Sequence, residues 1–204
     1  MALQIDFTCP STRPEQSPTE MAELQEKLDQ LAQNLFGPRK KRLLAPEFVA
    51  GGPNVRFTVD ETGAYAELSL AAAAGYWPTA IYQLAHEIIH LLDPRIGYPK
   101  GRGASWFEEG LAVHFSLSVL QEIFDPTVLS LFSDHLEKNG EKYYTALQLF
   151  SELDEDVYTR ARQIRQSAGH FSDATAEDFK RVSPNLKDHI AIELAKSFYE
   201  KKEK

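Results

Sequence analysis

Cysteine is nearly missing from this chain of 204 residues: Cys9 stands alone, which excludes an internal disulfide framework and a cluster of thiolate metal ligands. Apolar residues never run for the roughly 18 positions that a membrane-spanning helix needs. The opening MALQIDFTCPSTRPEQ lacks the basic start and apolar stretch of an export signal. Positive charge is short as well. With 22 Lys and Arg against 30 Asp and Glu, the net charge is −8, which argues against a nucleic-acid backbone or an anionic membrane as partner. The one basic cluster, Arg39 to Arg42 behind Gly37-Pro38, reads as a solvated linker. These shortages lead to the expectation of a soluble, cytoplasmic protein with no nucleic-acid and no membrane partner; its oligomeric state is left open.

What is present suits a globular chain, since 43% of the residues are hydrophobic and 25% charged. The length fits one domain, 1–204, with an N-terminal arm and helix (1–50), a sheet and paired helices (51–125) and a helical C-terminal half (126–204). Met21, Leu24, Leu28, Leu31 and Leu35 fall at helical spacing before Gly37. Residues 54–60 and 64–70 alternate in polarity around Glu61-Thr62-Gly63 and predict a hairpin. From Pro78, the apolar stripe Ile81, Leu84, Ala85, Ile88 and Leu92 predicts a helix that Pro94 stops. PRIGYPKGRGA, 94–104, must be loop. Ser105, with Glu108 three residues on, predicts a capping box opening a second helix. Helices are further expected near 126–138, 141–153, 156–168, 174–182 and 185–201. The fold class is therefore α+β, mostly helical: a small strand hairpin, two central helices and a helical C-terminal half.

The first central helix carries HEIIH. Residues four apart on a helix differ by roughly 40° in direction and 6 Å in height, so His86 and His90 can grip one ion between two imidazoles. Glu87 is turned about 100° from His86, where its carboxylate can take a proton from a metal-activated water. A zinc site that performs chemistry needs a third protein ligand and one open position. Four residues are within reach: Asp93, Glu108, Glu109 and His114. Asp93 sits at the helix end before Pro94, where a local role is expected. Glu108 is expected to be occupied with the Ser105 N–H in the capping box. Glu109 has no such local engagement, and with His86 and His90 it would complete a His₂Glu set.

HEIIH, eighteen residues, then Glu109 within WFEEGLA resembles the gluzincin zinc metallopeptidases, with Trp106, Glu109, Gly110, Leu111 and Ala112 in register. The likeness spans roughly residues 55 to 183. It implies His86, His90 and Glu109 as ligands of one zinc per chain and Glu87 as general base. It also implies that the 54–70 hairpin borders a substrate cleft. Tyr143, in Tyr143-Tyr144-Thr145-Ala146, resembles the tyrosine that stabilises the oxyanion in such enzymes, with Tyr144 as the alternative. Two departures limit the transfer. The GxMEN element of the related aminopeptidases is replaced by GAYAELSL, so aminopeptidase specificity does not carry over. Val113 stands where a thermolysin-like aspartate would.

The function expected from these residues is that of a zinc-dependent metallopeptidase acting on a peptide or protein substrate. The alternative is a catalytically silent, zinc-containing module that binds peptides without cutting them.

Overall fold

Proline at the first helical position and a glycine with φ of 101° just past the last delimit the first long helix, α1 (Pro18–Phe36). The computed structural model describes residues 3–95, 103–153 and 156–199. Four strands follow α1: β1 (Arg42–Leu43), β2 (Glu47–Val49), β3 (Asn54–Phe57) and β4 (Gly63–Ser69). The hairpin expected at 54–70 is present as β3 and β4, antiparallel, with Val55 opposite Ala66. β1 and β2 lie along the other edge of β4 and run parallel to it. Two and three residues are too short to show alternation, so the sequence reading contains neither strand. Among the described residues no strand pairs with the outer edge of β3.

Ser69 ends β4 by capping a single helical turn, α2 (Leu70–Ala73). The chain then enters α3 (Trp77–Leu91), with Pro78 in its first turn. Its expected stripe, Ile81, Leu84, Ala85, Ile88 and Leu92, is fully buried. The outcome of the 94–104 loop lies largely outside the described residues, which resume at Gly103. α4 (Trp106–Ile123) packs along α3 and buries Phe107, Leu111, Phe115 and Val119. The helical half comprises α5 (Pro126–Asn139), α6 (Glu141–Ser151), α7 (Val157–Ala168), α8 (Ala176–Val182) and α9 (Asp188–Ala195). The α+β, mostly helical class expected from the sequence is the class observed.

Two differences from the sequence reading have physical causes. Residues 39–42 stay partly exposed, as a linker would, but are also engaged: Arg39 bonds Asp29 at 3.0 Å, Lys40 pairs with Asp93, and Arg42 enters the sheet. Short sequences of basic residues look solvated because their partners are remote in the chain. The expected helix over 185–201 stops at Ala195, where Lys196 turns extended (ψ 154°) and Ser197 pairs with Ser105. Two backbone bonds hold this last segment, from Trp106 N to the Lys196 carbonyl at 3.1 Å and from Phe198 N to the Ala104 carbonyl at 2.8 Å.

The helical half is tied to α1 and α3 by a buried cation. The Arg165 guanidinium on α7 donates to the carbonyls of Phe36, Gly37, Pro38 and Leu92 at 2.9–3.2 Å, satisfying groups that the ends of two helices leave open. Beside it, Phe36 meets Phe115, Tyr158 and Phe171 edge-on. This core fixes α3 against α4, on which the candidate site is built. Among the described residues no helix is long and apolar enough to cross a membrane.

Candidate metal centre

His86 and His90 project from adjacent turns of α3 and Glu109 from the first turn of α4. The Nε2 atoms of the histidines are 3.3 Å apart, and Glu109 Oε2 is 3.2 Å from His86 Nε2 and 3.8 Å from His90 Nε2. Four ligands held tetrahedrally at zinc's usual 2.0–2.1 Å stand about 3.3–3.4 Å from one another. The three atoms therefore nearly match the face of such a polyhedron. Glu109 is 2% exposed, yet among the described residues its Oε2 has no hydrogen-bond partner, a costly arrangement unless a cation completes it. The donor set, two imidazoles and one carboxylate, suits zinc.

Gly110 explains how α6 comes close enough to contribute. A Cβ there would lie 2.4 Å from the Ala146 carbonyl oxygen, so only glycine lets α4 and α6 approach. As a result Tyr143, on the first turns of α6, sets its ring edge-on to His86 with centroids 5.9 Å apart. Tyr143 faces the cleft beside His86 and Glu87, and Tyr144 is not among the residues lining it. Burial and the nearby Glu109 and Glu87 carboxylates push the Tyr143 hydroxyl up to about 12, so it is a protonated donor at neutral pH.

Glu87 is buried and faces the same cleft. Burial raises its pKa, with Glu109 adding to the effect and His86 and His90 opposing it. A carboxyl held above its ordinary range is suited to exchanging protons near neutrality. Burial alone would disfavour a charged His90, but Glu109 and Glu108 outweigh it and raise that imidazole to about 10. Glu87 and Glu109 line the cleft together with both imidazoles.

Glu108 is not where the capping box would put it. The Ser105 hydroxyl does accept from Glu108 N at 3.2 Å, but the Ser105 N–H donates to Ser172 Oγ at 2.8 Å. The Glu108 carboxylate is thereby released to accept from His90 Nδ1 at 2.9 Å and from the Ser172 hydroxyl. Although burial alone would raise it, those bonds and the charge of His90 hold Glu108 down at about 2. An ionised acceptor on Nδ1 keeps the proton there, so Nε2 is the nitrogen that a metal would take, displacing its proton. His170 extends the chain of bonds, with Nε2 donating to the Asp93 carbonyl at 2.9 Å and Nδ1 accepting from Ser172 N at 2.9 Å.

Of the other candidate ligands, Asp93 pairs with Lys40, and the His114 ring packs tilted against Phe150 and edge-on to Tyr158, with centroids 5.3 Å from each. Neither joins the cluster of His86, His90 and Glu109. The sequence reading missed Ser172, His170 and Tyr199. Tyr199, on the last described residue, donates its hydroxyl to Glu109 Oε1 at 3.3 Å. No local pattern announces it, because it arrives from ninety residues away.

The centre lies in a cleft of about 850 Å³. Its walls include Val55 and Phe57 of β3, Tyr76, Tyr82, Phe132 and Leu136. Compared with known proteins, the chain matches no family model, no curated protein and no solved structure.

Proposed function

We propose that the protein is a zinc-dependent peptidase-like hydrolase acting on a peptide or protein substrate, with the metal held by His86, His90 and Glu109. The observation that carries this reading is the convergence of the three ligand atoms, among them a buried Glu109 Oε2 with no hydrogen-bond partner among the described residues, with Glu87 beside them in the cleft. Zinc bound by such a set supplies a Lewis acid and lowers the pKa of a coordinated water to about 7.

The chain's own residues then divide the work. Glu87 accepts a proton from the attacking water at its carboxylate and delivers it to the leaving nitrogen. The Tyr143 hydroxyl donates to the oxygen on which negative charge develops. Glu108 fixes the His90 ring and its tautomer. The outer edge of β3, which no strand pairs among the described residues and whose Val55 and Phe57 line the cleft, offers backbone groups to an extended peptide. The lone Cys9 accords with a reducing, cytoplasmic setting.

The test is cleavage profiling of a mixed peptide pool by the zinc-loaded protein, with a chelated control. New termini that appear only with metal are the expected result. If zinc is bound and peptides are retained but none is cut, the peptide-binding module is the correct reading instead.

A further inference from the structure

We propose that Tyr199 is a positioning residue for the metal site: its hydroxyl holds Glu109 Oε1 so that Oε2 stays turned toward His86 and His90. The inference rests on reading those three residues as metal ligands. It adds that the C-terminal segment, after α9 has ended, completes the site.

The two oxygens of Glu109 have separate surroundings. Oε2 is 3.2 Å from His86 Nε2 and has no hydrogen-bond partner among the described residues, whereas Oε1 accepts from Tyr199 at 3.3 Å. A carboxylate bound through one oxygen can rotate to chelate through both unless its second oxygen is otherwise held, and partners of this kind set ligand orientation and metal affinity.

The way the segment is anchored separates this role from simple packing. Phe198 is the packed residue: it is 2% exposed, with its ring 4.9 Å from Trp106 and 5.0 Å from Tyr143. Tyr199 is 59% exposed, so its ring contributes little burial, and its hydroxyl is the part that reaches inward. Lys142 clamps the segment by donating to the Phe198 carbonyl at 2.6 Å, with its ammonium 4.5 Å from the Phe198 ring and 5.9 Å from the Tyr199 ring. Opposite, Gly103 clears space for the phenol, since a Cβ there would fall 2.4 Å from Tyr199 Cδ2.

The experiment compares the full chain with Tyr199→Phe and with Lys142→Met, using zinc(II) in competition with a chromophoric chelator and cobalt(II) as a spectroscopic probe. Tyr199→Phe is expected to weaken zinc about tenfold and to alter the visible cobalt bands, with the melting temperature of the chelated protein unchanged. Lys142→Met, which loosens the segment but keeps the phenol, should move both readouts in the same direction by less. Zinc affinity within twofold of the parent and an unchanged cobalt spectrum in Tyr199→Phe overturn the inference alone. Should that variant fail to fold, unchanged readouts in Lys142→Met overturn it. If the parent takes up neither metal, the metal-site reading fails and the inference falls with it.

Discussion

His90 Nδ1 and Glu108 Oε1 are 2.9 Å apart, on two different helices, and this contact links the metal-facing imidazole to the N-terminus of α4. Glu108 therefore serves the site through His90 while its neighbour Glu109 serves it directly.

The two glutamates should respond unequally to the same change. Glu109→Gln replaces the anionic ligand and should abolish tight zinc binding, whereas Glu108→Gln keeps an acceptor for His90 and loses only its charge. A loss of roughly 10-fold to 100-fold in zinc affinity is expected for Glu108→Gln, as for partners of other metal-bound histidines. Chelator competition on both variants checks the order. Equal affinities, or tighter binding in Glu109→Gln than in Glu108→Gln, would contradict the assignment.

Zinc should also hold the fold together, because its ligands come from α3 and α4 and are brought together only in the native state. With free zinc at about 100 times Kd the folded state gains ~2.7 kcal/mol, which for a chain of this size raises the melting temperature by about 5–10 °C. Elemental analysis should find about one zinc per chain, and a chelator should reverse the shift. A preparation that takes up no metal, and melts alike with and without chelator, speaks against a metal site.

The contrast between two capping patterns shows what the sequence could disclose. Thr175 and Asp178 form the reciprocal box that their spacing suggests, with bonds of 3.0 and 3.3 Å. Ser105 and Glu108 have the same spacing but form only half of one, because Ser172 takes the other donor. Local spacing predicts that α4 begins at Trp106. It cannot predict that a serine 67 residues away competes for the cap. The same limit hides Tyr199, since residues 185–201 carry a helical pattern and the pairing of Ser197 with Ser105 overrides it. α3 was legible because its apolar stripe, its opening proline and the pair His86 and His90 all obey one period. β1 and β2 were not, because they are made by pairing with β4 and have no pattern of their own.

His114 should make stability depend on pH in a way that can be removed. Burial lowers its pKa, and its Nδ1 is buried without a hydrogen-bond partner among the described residues. Folding therefore favours the neutral ring. Below the unfolded value of about 6.5 the unfolded chain binds the proton better, so stability is lost as pH falls through the folded pKa. Each tenfold weakening of proton affinity in the fold corresponds to about 1.4 kcal/mol of this loss. His114→Phe keeps the ring contacts with Phe150 and Tyr158 and removes the titration. With chelator present throughout, the melting-temperature advantage of His114→Phe over the parent should grow from pH 7.5 to pH 5.5. A constant difference would mean that His114 titrates alike in both states.

Glu87 and Tyr143 separate catalysis from metal binding, because both face the cleft and neither belongs to the ligand cluster. Glu87→Gln preserves side-chain volume and removes the base, so zinc occupancy should match the parent while kcat falls by about 10²–10⁴ on any substrate found by profiling. Tyr143→Phe removes only the hydroxyl. If that group donates to charge that develops after attack, its loss should lower kcat and kcat/KM together and leave KM nearly unchanged, by a factor of about 10²–10³ where such a donor is fully engaged. A rise in KM alone would make Tyr143 a binding wall of the cleft. Parental turnover in zinc-replete Glu87→Gln would mean that the proton leaves the water by another route, and the proposed division of labour between the two residues would be wrong.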